Sequence, residues 1–245
     1  MNSQKISIIT GVLNQRIYIE DCIQSVLNQT YSNIEHIIMD GGSTDGTVDV
    51  IKKYENKIAY WASGKDLGIY DAMNKGIAIA TGEWLYFLGC DDKFFDRKVL
   101  IDIFGVKENL EYDVLYGNVL LKSSDKIYGG CFNSYKLFLK NICHQAIFAK
   151  KHVFDKLGYF NTRYKVWADW VFNLKWFNDR EIKHKYISRT IAIYSEDGYS
   201  SKNVDREFMS DRNFLIHTFG DYWSKLIHPH ENFFIIKILN RIFFS

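Results

Sequence analysis

The strongest chemical signal in the sequence is a pair of adjacent carboxylates, Asp91 and Asp92, that follows the apolar segment Trp84–Leu88. Adjacent carboxylates at the end of a buried strand repel each other and lose hydration, unless a cation or hydrogen-bond donors neutralise them. Such oxygen ligands suit Mg²⁺ or Mn²⁺, which keeps few protein ligands while it bridges substrate phosphates. The pair therefore indicates a divalent metal site, and two solvated turn aspartates are the alternative.

Two polar loops upstream of this pair place further carboxylates beside glycines. The apolar run that ends at Asp40 continues into Gly-Gly-Ser-Thr-Asp-Gly, and Asp66 precedes Gly68 in a loop that leads into a helical pattern. Ligands of open α/β sheets bind at the carboxyl ends of parallel strands, where glycines allow close backbone approach. Asp40 is therefore a candidate acceptor for a base N–H or a ribose hydroxyl. A capping aspartate in a strand-to-helix turn is the alternative.

The elements that must position these loops follow from the spacing of apolar residues. Over roughly the first hundred residues, short apolar runs alternate with longer amphipathic ones, which is typical of βα units on a parallel sheet. Such a sheet brings all three loops to one edge. The predicted strands are Lys5–Gly11, Glu35–Asp40, Ile58–Ala62 and Trp84–Leu88. The predicted helices are Tyr18–Leu27, Thr47–Tyr54 and Tyr70–Ala80.

The rest of the chain has a different pattern. Val114–Lys122 and Lys126–Cys131 flank a Ser-Ser-Asp turn and predict an antiparallel hairpin. A helix at Val166–Phe177 and a strand at Lys185–Tyr194 follow. The last 41 residues are aromatic and helical in pattern, so we divide the chain into an α/β domain, residues 1–204, and a helical extension, residues 205–245.

The composition argues against several classes of protein. The 31 basic and 29 acidic residues give a net charge of +2, too weak a field to indicate nucleic-acid binding. The four cysteines have no CxxC spacing and the N-terminus has no signal-peptide pattern, so we expect a cytoplasmic location. No apolar run is long enough to span a bilayer. The first predicted strand is not followed by G-x-G-x-x-G, which argues against a dinucleotide cofactor.

Four segments in fixed order resemble the family 2 glycosyltransferases: ISIITGVLNQ, IIMDGGSTDGT, SGKDLGIYDAMNKGIAIATGEWLYFLGCDD and VWADW. The likeness is strongest to bacterial enzymes of capsule, colanic-acid, other exopolysaccharide or O-antigen assembly. It implies the GT-A fold, an α/β architecture with a mostly parallel central sheet, helices on both faces, a small antiparallel portion and a helical C-terminal tail. Residues 1–204 would then be the catalytic domain.

The resemblance also implies a reaction and its participants. A sugar would pass with inversion from a nucleotide diphosphate donor, with uridine as the preferred base, to a saccharide or lipid-linked saccharide acceptor. Thr10 and Asp40 would hold the base and ribose, and Asp66 and Gly68 would line the same pocket. A hexosyl or N-acetylhexosaminyl transfer in surface polysaccharide biosynthesis is the expected activity.

The same resemblance assigns the metal and the proton acceptor. Asp91 and Asp92 match a DxD-type motif, in which Asp92 is the expected direct ligand of Mn²⁺ or Mg²⁺ and Gly89 replaces the usual acidic or amide residue. Asp169 in VWADW matches the general base, and we expect its flanking tryptophans to desolvate it. A structural or N-capping aspartate is the alternative.

The resemblance marks two further segments. His144 is a candidate contact for the acceptor or the donor sugar, and a buried structural histidine is the alternative. The loop Glu196–Lys202 resembles a segment that closes on the diphosphate, with Lys202 offsetting phosphate charge, and a plain surface loop is the alternative.

Two other functions and two partners remain open from the sequence. A sugar nucleotidyltransferase normally has a glycine-rich basic loop after its first strand, and Val12-Leu13-Asn14-Gln15-Arg16 is poor in glycine. A non-catalytic sugar-nucleotide-binding module is disfavoured by the intact aspartates. The tail 205–245 has an apolar surface that suits either peripheral contact with the inner face of the cell membrane or a homodimer.

Overall fold

A nine-stranded sheet runs through the computed structural model, which describes residues 3–196, 198 and 202–219. The strands are β1 Ile6–Val12, β2 Ile34–Asp40, β3 Tyr60–Ser63, β4 Trp84–Phe87, β5 Lys93–Phe94, β6 Val114–Leu121, β7 Ile127–Tyr128, β8 Ile147–Lys150 and β9 His184–Tyr194. The described helices are α1 Arg16–Leu27, α2 Thr47–Lys53, α3 Ile69–Ile79, α4 Val99–Phe104, α5 Ser134–Leu139, α6 Lys151–Leu157, α7 Ala168–Asn178 and α8 Arg206–Phe219.

Strands β3, β2, β1 and β4 are adjacent and parallel, with helices on both faces. Alternate residues of β1 and β2 enter different cores because side chains of a strand alternate between its faces. Ile9 and Ile37 pack with α3, whereas Ile8 and Ile38 pack in the layers that contain α1, α2 and α4. Burial on both faces explains why these strands read as continuous apolar runs.

The second part of the sheet is mixed. Strand β8 lies antiparallel between β4 and β6, and β6 pairs in parallel with the long strand β9. The short strands β5 and β7 pair antiparallel with β9 and β6. This arrangement confirms the predicted α/β fold with a parallel portion followed by an antiparallel one.

The predicted elements of the first half agree with the structure to within two residues at nearly every boundary. The elements after β4 were predicted less completely, because β5, β8 and helices α4, α5 and α6 have only two to seven residues and show too little periodicity to be recognised. The predicted hairpin is present, but its second strand is only Ile127–Tyr128. The predicted helix at Val166–Phe177 begins two residues later, at Ala168.

The described part of the C-terminal extension is helix α8, which packs against α7. The ring of Phe208 stacks on Trp170 at a centroid distance of 5.0 Å and meets Trp167 edge-on at 5.2 Å. Residues 220–245, and with them the predicted membrane or dimer contact of the tail, lie outside the described residues. Within the described part of the chain, no helix is both long and apolar enough to cross a bilayer.

Candidate functional site

A cavity of about 220 Å³, the sheet-edge cavity, opens where the parallel strands end. Its walls come from the residues after β1, the loop before α3 and the turn after β4, which include Leu13, Asp66, Gly68 and Asp91. Strands β1, β2 and β4 are paired in register, and their carboxyl ends therefore lie side by side. Ligands of open α/β sheets bind at this edge.

The two adjacent carboxylates differ in their surroundings. Asp92 is almost fully buried, and its oxygens accept hydrogen bonds from the backbone N–H of Ser195 at 2.7 Å and from Nε2 of Gln145 at 2.5 Å. Burial, reinforced by the charge of Asp91, raises the pKa of Asp92 well above its usual range. Asp91 is half-buried and also faces the cavity. Asp92 is thus held by protein donors, while Asp91 adds a second carboxylate beside it.

A divalent cation fits this pair of carboxylates. Among the residues that the structure describes, no group of three or more histidine, cysteine, aspartate or glutamate side chains is arranged to hold a metal. Mg²⁺ and Mn²⁺ do not require such a group, because they bind through one or two carboxylates together with substrate phosphates. A cation at Asp91 and Asp92 would also relieve the cost of two neighbouring, poorly hydrated charges.

The loop before α3 depends on a glycine backbone. Gly68 has φ = +116°, a conformation that favours glycine, and its N–H donates to Oδ1 of Asp66 at 2.9 Å. The N–H of Leu67 donates to Oδ2 of Asp71 at 3.0 Å, which fixes the start of α3. Asp66 and Gly68 both line the sheet-edge cavity. These hydrogen bonds attach their loop to the start of α3.

Asp40 and Thr10 do not line the sheet-edge cavity. Asp40 is buried and accepts hydrogen bonds from the backbone of Gly42 and Ser43 and from the hydroxyl of Ser63. It instead faces a neighbouring cavity of about 160 Å³ that it shares with Asp66. The strand end carries the carboxylate as predicted, but most of its hydrogen-bonding capacity is used within its own turn.

The side chain of Thr10 points into the layer of α1. Its Oγ1 lies 3.1 Å from Nε2 of His36 and 3.8 Å from Sγ of Cys22, and Thr10 is fully buried. Position 10 shares its face of β1 with Ile8 rather than with Gly11, so the side chain of Thr10 does not line the sheet-edge cavity, and its expected contribution to nucleotide binding stays a prediction. The adjacent Gly11 lines the sheet-edge cavity.

A second cavity, of about 570 Å³, contains Asp169 and is named the Asp169 cavity here. Cavities of this size accommodate small molecules and are usually lined by apolar side chains with few polar groups. Its apolar and aromatic lining includes Leu121, Tyr128, Leu139, Trp167, Trp170, Val204, Phe208 and Met209.

Asp169 lies in the first turn of α7 and is only 7% exposed. Its Oδ1 lies 2.9 Å from the hydroxyl of Tyr70, and its Oδ2 lies 3.1 Å from Nδ2 of Asn141 and 3.3 Å from Nδ1 of His144. The flanking Trp167 and Trp170 pack on Phe208, and the expected desolvation of the carboxylate by their rings stays a prediction. Polar donors surround it and fix its orientation.

The two cavities adjoin along a shared wall. Five residues line both of them: Tyr70, His144, Gln145, Val166 and Tyr194. His144 contacts Asp169 on one side of this wall, and its neighbour Gln145 donates to Asp92. Consecutive residues of one short 3₁₀ helix therefore connect the two candidate carboxylate sites.

The loop that begins at Ser195 is attached at its start. Ser195 donates its N–H to Asp92, and the carboxylate of Glu196 accepts from the backbone N–H of Ser123 at 2.8 Å. Glu196 lines the Asp169 cavity. Lys202 is exposed, while Asp197 and residues 199–201 lie outside the described residues, so its expected phosphate contact stays a prediction.

Sequence reasoning missed four residues that contact the candidate carboxylates: Tyr70, Asn141, Gln145 and Ser195. Tyr70 lies two residues after Gly68, and Gln145 directly follows His144. Their closeness in sequence to predicted site residues was the only signal that could have indicated them. The other two residues belong to loops whose sequence separation from their partners is large. Asn141 is 28 residues from Asp169, and Ser195 is 103 residues from Asp92.

The chain is similar to known glycosyltransferases over most of its length. The model of "Glycosyl transferase family 2" matches residues 7–129. A "PGL/p-HBAD biosynthesis glycosyltransferase" of Mycobacterium bovis (strain BCG / Pasteur 1173P2) is 37% identical over 217 residues, which cover 85% of this chain and 84% of the relative. "Glycosyltransferase GlyG" of Streptococcus pneumoniae serotype 4 is 24% identical over 238 residues, 96% of this chain and 71% of the relative.

Solved structures share the fold at low sequence identity. S. aureus TarS 1–349 in complex with UDP-GlcNAc has a TM-score of 0.70 at 19% identity, covering 90% of this chain and 69% of that one. For the complex of TarS 1–349 with UDP, the TM-score is 0.68 at 20% identity; the match covers 87% of this chain but only 64% of that one. PcManGT from Pyrobaculum calidifontis, in complex with GDP-Man and Mn²⁺, has a TM-score of 0.62 at 14% identity. The match covers 93% of this chain and 65% of that one.

Proposed function

Because the chain belongs to glycosyltransferase family 2, we propose that it transfers a hexosyl or N-acetylhexosaminyl group from a UDP-sugar to an acceptor hydroxyl with inversion. The observation that carries this proposal is the shared wall between the two cavities. The sheet-edge cavity would hold the donor and the Asp169 cavity would hold the acceptor. The anomeric carbon of the donor would then lie at their junction, beside His144.

Asp169 is the proposed general base. It would take the proton of the acceptor hydroxyl as the acceptor oxygen forms a bond with the anomeric carbon. The bond between that carbon and the phosphate oxygen breaks, and its electron pair remains on the leaving UDP. Attack from the face opposite the diphosphate inverts the anomeric centre. Tyr70, Asn141 and His144 keep the carboxylate in one orientation, which a base needs to reach its proton.

Asp91 and Asp92 are the residues that would hold Mn²⁺ or Mg²⁺. When bound, the ion would supply positive charge to the diphosphate as negative charge develops on it. Gln145 and Ser195 contribute by fixing the carboxylate of Asp92 through hydrogen bonds. The PcManGT complex, which contains GDP-Man and Mn²⁺, supports this choice of cofactor.

Uridine as the donor base is supported by the TarS complexes, which contain UDP and UDP-GlcNAc. The lining of the Asp169 cavity supports an acceptor with an apolar part, because aliphatic side chains such as Leu121, Leu139 and Met209 offer no partner to sugar hydroxyls. The proposed acceptor is therefore a lipid-linked saccharide or a saccharide with another apolar group.

The proposed pathway is the assembly of a surface glycoconjugate at the inner face of the cell membrane. The sequence resemblance suggests capsule or O-antigen assembly, whereas the mycobacterial relative is named for PGL/p-HBAD biosynthesis. The pathway is therefore proposed only at the level of surface glycoconjugates, which includes both alternatives.

A nucleotide panel tests the donor site. The thermal unfolding of wild type and Asp92→Ala would be followed with UDP, GDP, TDP and CMP, each with and without Mn²⁺. A ligand at a hundred times its dissociation constant stabilises the folded state by about 2.7 kcal/mol. We expect a Mn²⁺-dependent shift with UDP that the variant loses. The absence of a shift with every nucleotide would contradict the proposed donor site.

A turnover assay separates an enzyme from a binding module. UDP release would be measured with UDP-glucose, UDP-galactose and UDP-N-acetylglucosamine in the presence of Mn²⁺, first with water and then with methyl and octyl glycosides as acceptors. We expect release with one donor and a faster rate with octyl than with methyl glycosides. Nucleotide binding without any release would favour the non-catalytic module.

A further inference from the structure

Asp205 is a buried carboxylate that lies outside the segments carrying the family resemblance. It is 3% exposed and precedes helix α8. One of its oxygens, Oδ1, accepts a hydrogen bond from the N–H of Phe208 at 3.0 Å, which caps the first turn of α8. This cap explains why an aspartate stands at position 205, but it involves only one of the two carboxylate oxygens.

The second oxygen of Asp205 holds the segment that leads into α7. Oδ2 accepts from the backbone N–H of Val166 at 2.8 Å and from that of Trp167 at 3.1 Å. Trp167 is the N-cap residue of α7, and Asp169 follows in the first turn. One carboxylate therefore joins the beginnings of two helices, where N–H groups and helix dipoles favour a negative charge.

The same peptide contacts the surroundings of Asp169. The carbonyl oxygen of Val166 lies 2.7 Å from the hydroxyl of Tyr70, and that hydroxyl lies 2.9 Å from Oδ1 of Asp169. The N–H of Val166 is thus held by Asp205, while its carbonyl oxygen and Oδ1 of Asp169 share the single O–H of Tyr70. A shift of this peptide would move the hydroxyl of Tyr70 and the first turn of α7 together.

Helix α8 also forms part of the Asp169 cavity. Phe208 and Met209, which follow Asp205, line this cavity. Phe208 packs on Trp167 and Trp170, which flank Asp169 on α7. The hydrogen bonds of Asp205 therefore set the distance between the wall supplied by α8 and the carboxylate supplied by α7.

We propose that Asp205 is a positioning residue for transfer: it ties α8 to the Val166–Trp167 peptide and so places Asp169 against the acceptor. This inference rests on the proposed function, because it takes Asp169 as the base. A displacement of a reacting group by about 1 Å costs roughly a hundredfold in rate. Loss of the tie should therefore lower the rate of transfer more than the affinity for the nucleotide.

The test compares Asp205→Ser with Asp211→Asn. Serine keeps a capping oxygen for Phe208 but is too short to reach both N–H groups of the Val166–Trp167 peptide as well. Asp211 is the matched control, because it ties α8 to the same loop through the hydroxyl of Tyr164 at 2.8 Å and the guanidinium of Arg163 at 2.9 Å. These bonds hold the loop upstream of the Val166–Trp167 peptide, whose two N–H groups are bound by Asp205 instead.

Three quantities would be measured in each variant: the amide hydrogen exchange of residues 163–170, the dissociation constant of UDP with Mn²⁺, and the rate of UDP release from the donor identified by the panel of UDP-sugars. In Asp205→Ser we expect faster exchange at positions 166–169, unchanged UDP affinity and a rate lower by roughly tenfold to a hundredfold. Asp211→Asn should keep the wild-type rate and wild-type exchange at positions 166–169.

The inference is overturned if Asp205→Ser retains the wild-type rate, or if the rate falls equally in Asp211→Asn. Should the serine variant not fold, Asp205→Asn replaces it, because a carboxamide keeps the volume but has only one accepting oxygen. The variant Asp169→Asn distinguishes failure of the proposed function from failure of this inference. Full activity in that variant contradicts the proposed function, whereas an inactive Asp169→Asn beside a fully active Asp205→Ser contradicts only the role of Asp205.

Discussion

Nδ1 of His144, a residue of the wall that the two cavities share, lies 3.3 Å from Oδ2 of Asp169. A ring N–H in this position would donate to the carboxylate and help to fix its orientation. The contact places His144 beside the proposed point of transfer, and its role as a substrate contact stays a prediction. The sequence did not indicate that its partner would be Asp169.

We expect His144→Ala to lower kcat by roughly fivefold to tenfold, because a hydrogen bond of about 1 kcal/mol that orients the base is lost. UDP affinity should be unchanged. His152→Ala is the control, since Nε2 of this exposed histidine lies 3.3 Å from Oδ1 of Asp113, away from both cavities. Steady-state kinetics would show an equal effect of both substitutions if the contact with Asp169 were irrelevant.

Asp169→Asn tests the base directly. A carboxamide cannot take the proton of the acceptor, so we expect kcat to fall by roughly 10²- to 10⁴-fold while UDP with Mn²⁺ still stabilises the fold. Asp155→Asn, on the exposed side of α6, provides a matched carboxylate control. The measurements are the rate of UDP release with acceptor and the thermal shift with UDP. Full transfer by Asp169→Asn would refute the assignment.

The buried histidine His36 predicts a pH dependence of stability. Burial lowers its pKa from 6.5 to about 3, and its Nδ1 is buried without a hydrogen-bond partner among the described residues. The unfolded chain therefore takes up a proton near pH 6.5 that the folded chain does not, and stability falls as the pH decreases from 6.5 towards 3. His36→Gln should remove this contribution.

Chemical denaturation of wild type and His36→Gln at about pH 7.5, 6 and 5 would measure this contribution, since these values span the titration of an unfolded histidine. The free energy of unfolding of the wild type should decrease more steeply with falling pH than that of the variant. Parallel pH profiles for the two proteins would show that His36 is protonated in the folded state.

Gly76 allows α3 to approach β1. A Cβ at this position would lie 2.4 Å from Cγ2 of Ile9, which is buried in the core. Gly76→Ala should therefore lower the free energy of unfolding by about 1–2 kcal/mol, because overpacking outweighs the gain in helix propensity. At Gly64, by contrast, an added Cβ meets no atom within 4 Å, so Gly64→Ala serves as the control. Urea denaturation of both variants decides whether the close packing is required.

Much of the parallel half of the fold and of the sheet edge could be predicted from the sequence. Strand direction is implied by the βα alternation, so the ends of β2 and β4 place Asp40 and Asp91 at one edge without further information. The short elements β5, β8 and α4 were not predicted, because they have two, four and six residues and, unlike β3 and β4, lie outside the βα alternation of residues 5–88. The places of β5 and β8 are decided by pairing with β9, β4 and β6.

The orientation of Thr10 shows where local pattern stops being informative. Both faces of β1 are buried, so the alternation of polar and apolar residues that would indicate a ligand-facing side is missing. Thr10 points towards His36 because it shares a face with Ile8, and only the packing of α1 and α3 on opposite faces shows which face opens to the cavity.

The sequence by itself determined the βα order, the acidic turn after β4 and the place of Asp169 near the start of a helix. Strand ends, turn residues and helix starts are local properties of the chain. Tertiary structure alone decided that Asp169 meets Tyr70, Asn141 and His144, and that Asp92 meets Gln145 and Ser195. These partners are between 25 and 103 residues apart in sequence. Their contacts arise because α7 and the 3₁₀ helix His144–Ala146 pack beside the sheet edge and the end of β9, which no local pattern specifies.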